Sequence, residues 1–462
     1  MSWTFLGLQT ALSGILAQQR AMDATAHNIA NAQTPGYRRQ EAVLTADRPW
    51  PPPGQLAGIG MGQYGTGVQV ATVRRAQDQF LDLHARLLDA QLGAYSATSD
   101  TLHEVEGIVA QQSGSDLGTL LDQFWNGWQE VSIHPEDTAI RVTLREQALT
   151  LTSAFRDTVT RLRDSQAGID RVIEGRVQEI NNMAAEVAQL NGQITAVRAE
   201  GNQPNDLLDR RDNLLSQLSK TVGATTLITT DGNIIVNVGG RPLVEGVESF
   251  AMQSPLGAGG HVDVQWADGT AVNISNGELA GLLQARDSTI PDYLAQLDAI
   301  ASGLINRVNA LHQAGYGLNN STGVSFLAGT SAADISVDAA ILADPQAIAA
   351  ATAPDAPGDG GNALAIARVR DEILVGSQTL GQAFRTLVSQ VGSAAAGAKV
   401  RAESADFARQ QVNEQQQSLY GVSLDEEMTN MLQFQHAYNA SARVLTTLDE
   451  MVKTIIEQMG AR

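Results

Sequence analysis

Both ends of this chain carry the same helical rhythm. Near the start, Leu8, Leu12, Ile15, Gln19, Met22, Ala26 and Ile29 recur at steps of four and three. Near the finish, Leu424, Met428, Met431, Gln435, Tyr438, Ala442, Leu445, Asp449, Val452, Ile456 and Met459 do the same. Mostly apolar residues at that spacing form one stripe of a helix, the seam of a coiled coil. Everything between the two ends is then an insert whose termini return to one place. Such a layout suits a building block better than an enzyme.

The first helix is expected over residues 3 to 31, stopped by Thr34-Pro35-Gly36-Tyr37, where proline disfavours helix before it and glycine supplies the turn. Within the first 32 residues only Arg20 and Asp23 are charged. A helix bathed in water usually shows a charged face, so this one expects neighbours on several sides. A lone helix of this kind is poorly stable in water. The expectation is that the two ends lack partners within one molecule and are disordered before assembly.

Charge narrows the partners. Lys and Arg total 30 against 50 Asp and Glu, a net charge of -20. That surface repels phosphate backbones and anionic headgroups, which argues against nucleic acid and against membranes. No apolar run has the length of a membrane-spanning helix, so no membrane insertion is expected. The absence of cysteine excludes disulfides and thiolate chemistry. The N-terminus lacks the continuous apolar stretch of a cleavable signal, so any export is expected to use another route.

Between the ends, periodicity predicts a mainly α, multi-domain α+β chain: long terminal coiled-coil helices, an antiparallel helical bundle and a small β-rich insert. Residues 1–48 and 421–462 form the terminal coiled-coil part. Residues 49–76 are a Pro/Gly-rich arm with a short strand at Val68–Val73. Residues 77–220 and 281–420 supply the bundle. Within it, stripes such as Leu117, Leu121, Phe124 and Trp128 mark separate helices. One helix is expected to start after Pro135-Glu136-Asp137 and run to about Asp164, another from Val177 to Val197, and a single helix over 362–418. Residues 221–280 switch to period two, with hairpins turning at Asp231-Gly232 and Asp268-Gly269. Short strands are expected at 324–328 and 334–338. Ser423 and Glu426 make a capping box for the last helix.

The segment Asn28-Ile29-Ala30-Asn31-Ala32-Gln33-Thr34-Pro35-Gly36-Tyr37-Arg38-Arg39-Gln40 resembles the N-terminal signature of the bacterial flagellar rod, hook and hook-associated axial proteins. Leu424-Asp425-Glu426-Glu427-Met428 and Gln433 to Val444 are similar to their C-terminal signature. The interior, Glu278 to Asp287 followed by Ile290 to Asp298, resembles the hook-associated protein 1 branch of that family. So does the helix around Phe124-Trp125. The resemblance implies a secreted structural subunit of the extracellular flagellum, exported by the type III apparatus and joining hook to filament. It further implies self-association and contacts with the flagellar hook protein, the second hook–filament junction protein and an export chaperone. The assembly surfaces are then expected at Leu8, Leu12, Ile15, Met22, Ile29, Asn28, Asn31, Thr34, Pro35, Gly36 and Tyr37, and at Leu424, Met428, Met431, Tyr438, Ala442, Leu445, Val452, Ile456 and Met459. Asn28 and Asn31 are expected to bond to backbone at the helix end or to a neighbouring subunit.

The competing readings are a hook or distal rod subunit and a cytoplasmic coiled-coil scaffold. The long helical region 77–220 speaks against the former. Catalysis finds no support: His103-Glu104 lacks a second histidine one turn on, because position 107 is Gly. The glycines at 58 to 67 precede no phosphate-binding helix. No enzyme activity, cofactor or metal is expected.

Overall fold

The computed structural model describes residues 2–49, 64–110, 116–229 and 233–460, and the side chains of 2–5, 459 and 460 lie outside that description. The Asp231-Gly232 turn and most of the Pro/Gly arm therefore fall outside the described residues, as does the side chain of Met459.

α1 (Ser2–Asn31) is followed by a hairpin of β1 (Gln40–Ala46) and β2 (Val68–Arg75), antiparallel from Gln40↔Arg75 to Ala46↔Val68. Four helices come next: α2 (Gln79–Val109), α3 (Leu117–Ile133), α4 (Thr138–Ala199) and α5 (Asn205–Val222). The β region holds β3 (Thr225–Ile228), β4 (Ile234–Val238), β5 (Arg241–Glu245), β6 (Glu248–Ser249), β7 (Met252–Gln253) and β8 (Gln265–Trp266). β3 to β6 form one four-stranded antiparallel sheet, and β7 pairs with β8. The chain re-enters the bundle through α6 (Glu278–Gln284), one π-helical turn and α7 (Ile290–His312). A small hairpin of β9 (Leu327–Ala328) and β10 (Ser336–Val337), then α8 (Ala339–Ala343) and α9 (Gly361–Ala367), lead to α10 (Leu380–Tyr420) and α11 (Leu424–Gly460). The fold is mainly α with a small β insert.

Several expectations change. The two helices foreseen over 138–197 are one helix of 62 residues. Leu162, Ile169, Ile173 and Val177 carry its buried stripe straight through the supposed gap, and no proline interrupts it. The single helix foreseen over 362–418 is two, because Thr379 and Gln382 form a capping box that starts α10 afresh. β1, β5 and β6 were not foreseen. The hairpin at Asp268-Gly269 is short, with Trp266 N–H donating to Thr270 O (2.8 Å), Val272 N–H to Val264 O (3.0 Å) and a single bridge Gln265↔Ala271, and its first strand also pairs with Met252–Gln253. The insert leaves and returns at touching backbones: a Cβ on Gly277 would sit 2.4 Å from Gly223 N.

One apolar core runs from α2 through α3, α4 and α7 into the β sheet, and Phe124, Trp128 and Phe326 are fully buried in it. His312 lies among these rings, 5.4 Å from Phe326. Its Nδ1 donates to Val324 O (2.7 Å) and its Nε2 accepts from Ala349 N–H (2.9 Å), which fixes the neutral form. Burial, aided by the nearby Arg141, lowers its pKa to about 4. A lowered histidine binds fewer protons folded than unfolded, so stability is full above the ordinary pKa and falls as pH drops toward 4. Melting measured at pH 7 and pH 4.5 should show a loss of up to about 3 kcal/mol from this group. His312→Phe should remove that portion of the slope.

Candidate assembly interface and its anchor

α1 packs antiparallel along α11, with the hairpin β1–β2 against its other side. The expectation that the two ends lack partners within the chain therefore fails: each is the other's partner. The face that meets α11 is a stripe of small residues. Ala11, Gly14, Ala17, Ala21, Thr25 and Asn28 are the buried positions. A Cβ on Gly14 would lie 2.9 Å from Ser441 Oγ, and one on Gly7 3.3 Å from Leu448 Cδ1, so these glycines allow close approach of the two backbones.

The larger apolar residues divide between seam and surface. Leu8, Ile15, Met22 and Ile29 are half-buried, and Leu12 and its neighbour Leu16 are exposed. On α11, Met431, Tyr438, Ala442, Leu445 and Val452 are half-buried toward α1, while Leu424, Met428 and Ile456 face water. The helix pair thus keeps a close-packed inner contact and an aliphatic outer surface.

At its C-terminal end α1 is locked by Asn28, which is 1% exposed. Its Nδ2 donates to Gln40 O (2.8 Å) and Glu427 Oε2 (3.0 Å). Its Oδ1 accepts from Gln40 N–H (2.9 Å) and Tyr37 O–H (2.7 Å). One side chain thereby ties the helix, the following turn, β1 and the first turn of α11. Burial, with Asp206, Asp209 and Glu427 nearby, pushes the Tyr37 hydroxyl well above the usual range. Asn31 Nδ2 donates to His27 O (3.0 Å), and Thr34 Oγ1 donates to Asn31 Oδ1 (3.2 Å). Pro35 and Gly36 form the exposed turn.

Beyond that turn lies a charged anchor absent from the sequence reading. Arg38 binds Asp82 through both guanidinium ends, each 2.7 Å, and its backbone N–H donates to Asp209 (3.1 Å). Arg75 pairs with Asp209 (2.8 Å) and Asp212 (2.9 Å), and Arg86 with Asp212 (3.0 Å). The Arg38 guanidinium also stacks 4.6 Å from the Tyr420 ring at the end of α10. Three cations and three anions balance, and all are largely hidden. Burial alone would raise the Asp212 carboxyl, but Arg75, Arg38 and Arg86 outweigh it and hold it below the usual range. At Asp209 burial wins over Arg75, and its carboxyl is pushed up. Arg39 completes the lock by pairing with the buried Glu427 (2.8 Å) and with Glu426 (3.0 Å). Glu426 is thus engaged by Arg39, while its N–H meets Ser423 Oγ at 3.4 Å.

Three family models cover this architecture: "Flagella basal body rod protein" over residues 8–38, "Flagellar hook-associated protein FlgK helical domain" over 102–327, and "Flagellar basal body rod FlgEFG protein C-terminal" over 415–458. Flagellar hook-associated protein 1 of Bacillus subtilis is 30% identical, over 100% of this chain and 99% of its own length. The chain belongs to the flagellar hook-associated protein 1 family. The protein of the same name from Escherichia coli is 26% identical over 97% of this chain and 99% of its own. Among solved structures, the flagellar hook junction protein FlgK from Burkholderia pseudomallei superposes with a TM-score of 0.66 at 17% identity, over 74% of this chain and all of that one. At that identity the likeness establishes a shared fold. The first and last models fall on α1 and α11, the helices that pair here.

Removing one carboxylate from the anchor strands buried arginines, which typically costs about 3–5 kcal/mol. Asp212→Asn should lower the unfolding free energy from urea denaturation by that amount. Asn28→Ala leaves buried donors and acceptors unmet and should cost about 1–3 kcal/mol. The check is chemical denaturation followed by circular dichroism, with equal secondary structure before the transition.

Proposed function

We propose that this chain is a secreted structural subunit of the bacterial flagellum, built into the junction between hook and filament, and that its work is mechanical. The observation that carries this reading is the paired terminal helices, which close an inner seam of small residues and leave Leu12, Leu16, Leu424, Met428 and Ile456 facing water. A monomer gains nothing from that outer stripe. Copies packed side by side bury it, at about 25 cal/mol per Å² of apolar surface. Membership of the hook-associated protein 1 family, and the match of the 102–327 helical domain in particular, favour the junction over a hook or rod position.

In this reading the parts divide as the sequence suggests: terminal helices in the tube wall, a helical body outside them and the β insert outermost. The hook protein on one side and the second junction protein on the other are the neighbours, reached after type III export with a chaperone. The assembly residues are those of the outer stripe on α1 and α11. The residues around Asn28 act within the subunit to hold that stripe in place.

The test is a strain lacking this chain. It should make hooks without filaments and release flagellin into the medium. In the same strain Leu12→Asp should be secreted normally while its incorporation falls by about tenfold or more. Filaments growing normally without the chain would overturn the assignment, and normal incorporation of Leu12→Asp would overturn the packing.

A further inference from the structure

Between the main core and the terminal helices, α2 and α10 run as an antiparallel pair whose register is set by Asp89–Arg409 (2.5 Å) and Asp82–Gln416 (3.0 Å). Toward the terminal helices its apolar filling thins to Leu81, Ala85, Val412 and Tyr420. On the outer side of α2, away from that filling, Phe80 is 78% exposed, Leu83 55% and Leu87 54%. On the outer side of α10, again opposite its seam, Val400 is 61% exposed and Phe407 70%. The two stripes thus point in opposite directions from one two-helix ribbon.

Resting on the reading of this chain as an assembling subunit, we infer that the α2 stripe of one copy packs against the α10 stripe of the next. The spacings match. Phe80 and Leu87 are one heptad apart, as are Val400 and Phe407. With copies aligned in the same direction, α2 of one faces α10 of its neighbour antiparallel, and a single register sets Phe80 against Phe407 and Leu87 against Val400, with Leu83 between. Two matched apolar pairs from one register are what an antiparallel helix contact needs. Different patches on opposite sides of a subunit make a heterologous contact, which continues from copy to copy instead of stopping at a dimer.

The register also sets an offset. Within one chain Phe80 lies level with residue 418, by the Asp89–Arg409 and Asp82–Gln416 contacts. In the neighbour it meets Phe407, eleven residues along α10. Successive copies are therefore staggered by about 16 Å along the helix axis, so the chain of contacts climbs as a spiral and does not close as a flat ring. The net charge of -20 makes copies repel over most of their surface, which leaves the apolar, registered stripe, interrupted on α10 by Glu403 paired to Lys399, as the contact that selects a neighbour.

The native chain has no cysteine, so engineered pairs report cleanly. Phe80→Cys and Phe407→Cys, placed together in one chain and oxidised in isolated flagella, should give a covalent ladder. Each alone should give none, and a mixture of the two singles should give dimers. Leu87→Lys alone and Val400→Glu alone should each reduce incorporation by about tenfold, and both together should restore it. Self-crosslinking of Phe80→Cys alone would mean a two-fold contact and overturn the inference. Normal flagella carrying the double cysteine variant without a ladder would overturn it while leaving the junction role intact. Absence of the unmodified chain from flagella would overturn both.

Discussion

The ion-pair anchor of Arg38, Arg75 and Arg86 with Asp82, Asp209 and Asp212 is the constraint on which the rest depends. These residues come from the turn after α1, the end of β2, the first turns of α2 and the middle of α5. The main apolar core reaches this point only along α5, through Leu208, Leu214 and Leu215, and the local cluster beside α2 holds four buried residues. Buried ion pairs contribute little net stability, since desolvation offsets attraction. Their geometry is nevertheless demanding: every misplaced partner leaves a hidden charge unmet. The anchor therefore contributes direction more than strength. It sets how the terminal helix pair leaves the body.

Once that direction is set, the helices can specialise. The inner face of α1 is small because α11 must come close, and Gly14 against Ser441 marks the approach. The outer face is large and aliphatic because its partner lies elsewhere. The same division recurs on the α2–α10 pair, where Asp89–Arg409 fills the seam and Phe80 and Phe407 point away. A subunit for a tube needs this arrangement: rigid enough within itself to hold a shape, and apolar outside only where a neighbour arrives.

The sequence disclosed the terminal helices, the bundle, the β insert and the family, because periodicity and the Asn28-to-Gln40 signature are local. It misassigned the seam for a physical reason. A pattern of large residues says that a face is buried somewhere, without saying by which partner. Leu8 to Ile29 drew attention, while Ala11, Gly14, Ala21 and Thr25, which meet α11, look unremarkable as residue types. A run of Gly or Ala one heptad apart, at 7, 14 and 21, ending on Asn28, was the available signal. The anchor was out of reach, since Asp82, Asp209 and Arg38 are distant in sequence and nothing about an isolated arginine announces its partner. α4 is one helix because Ile169 and Ile173 carry the buried stripe between Leu162 and Val177, positions that the stripe read from Val177 onward leaves out.

The most direct test of the anchor is the distance between the terminal pair and the body in the soluble protein. Spin labels at Gln433→Cys on α11 and Asn182→Cys on α4, read by pulsed electron resonance, should give one narrow distribution that broadens when Asp212→Asn is added. A broad distribution in the labelled protein without Asp212→Asn, or a narrow one that survives it, would contradict the claim that this anchor sets the direction of the terminal helices.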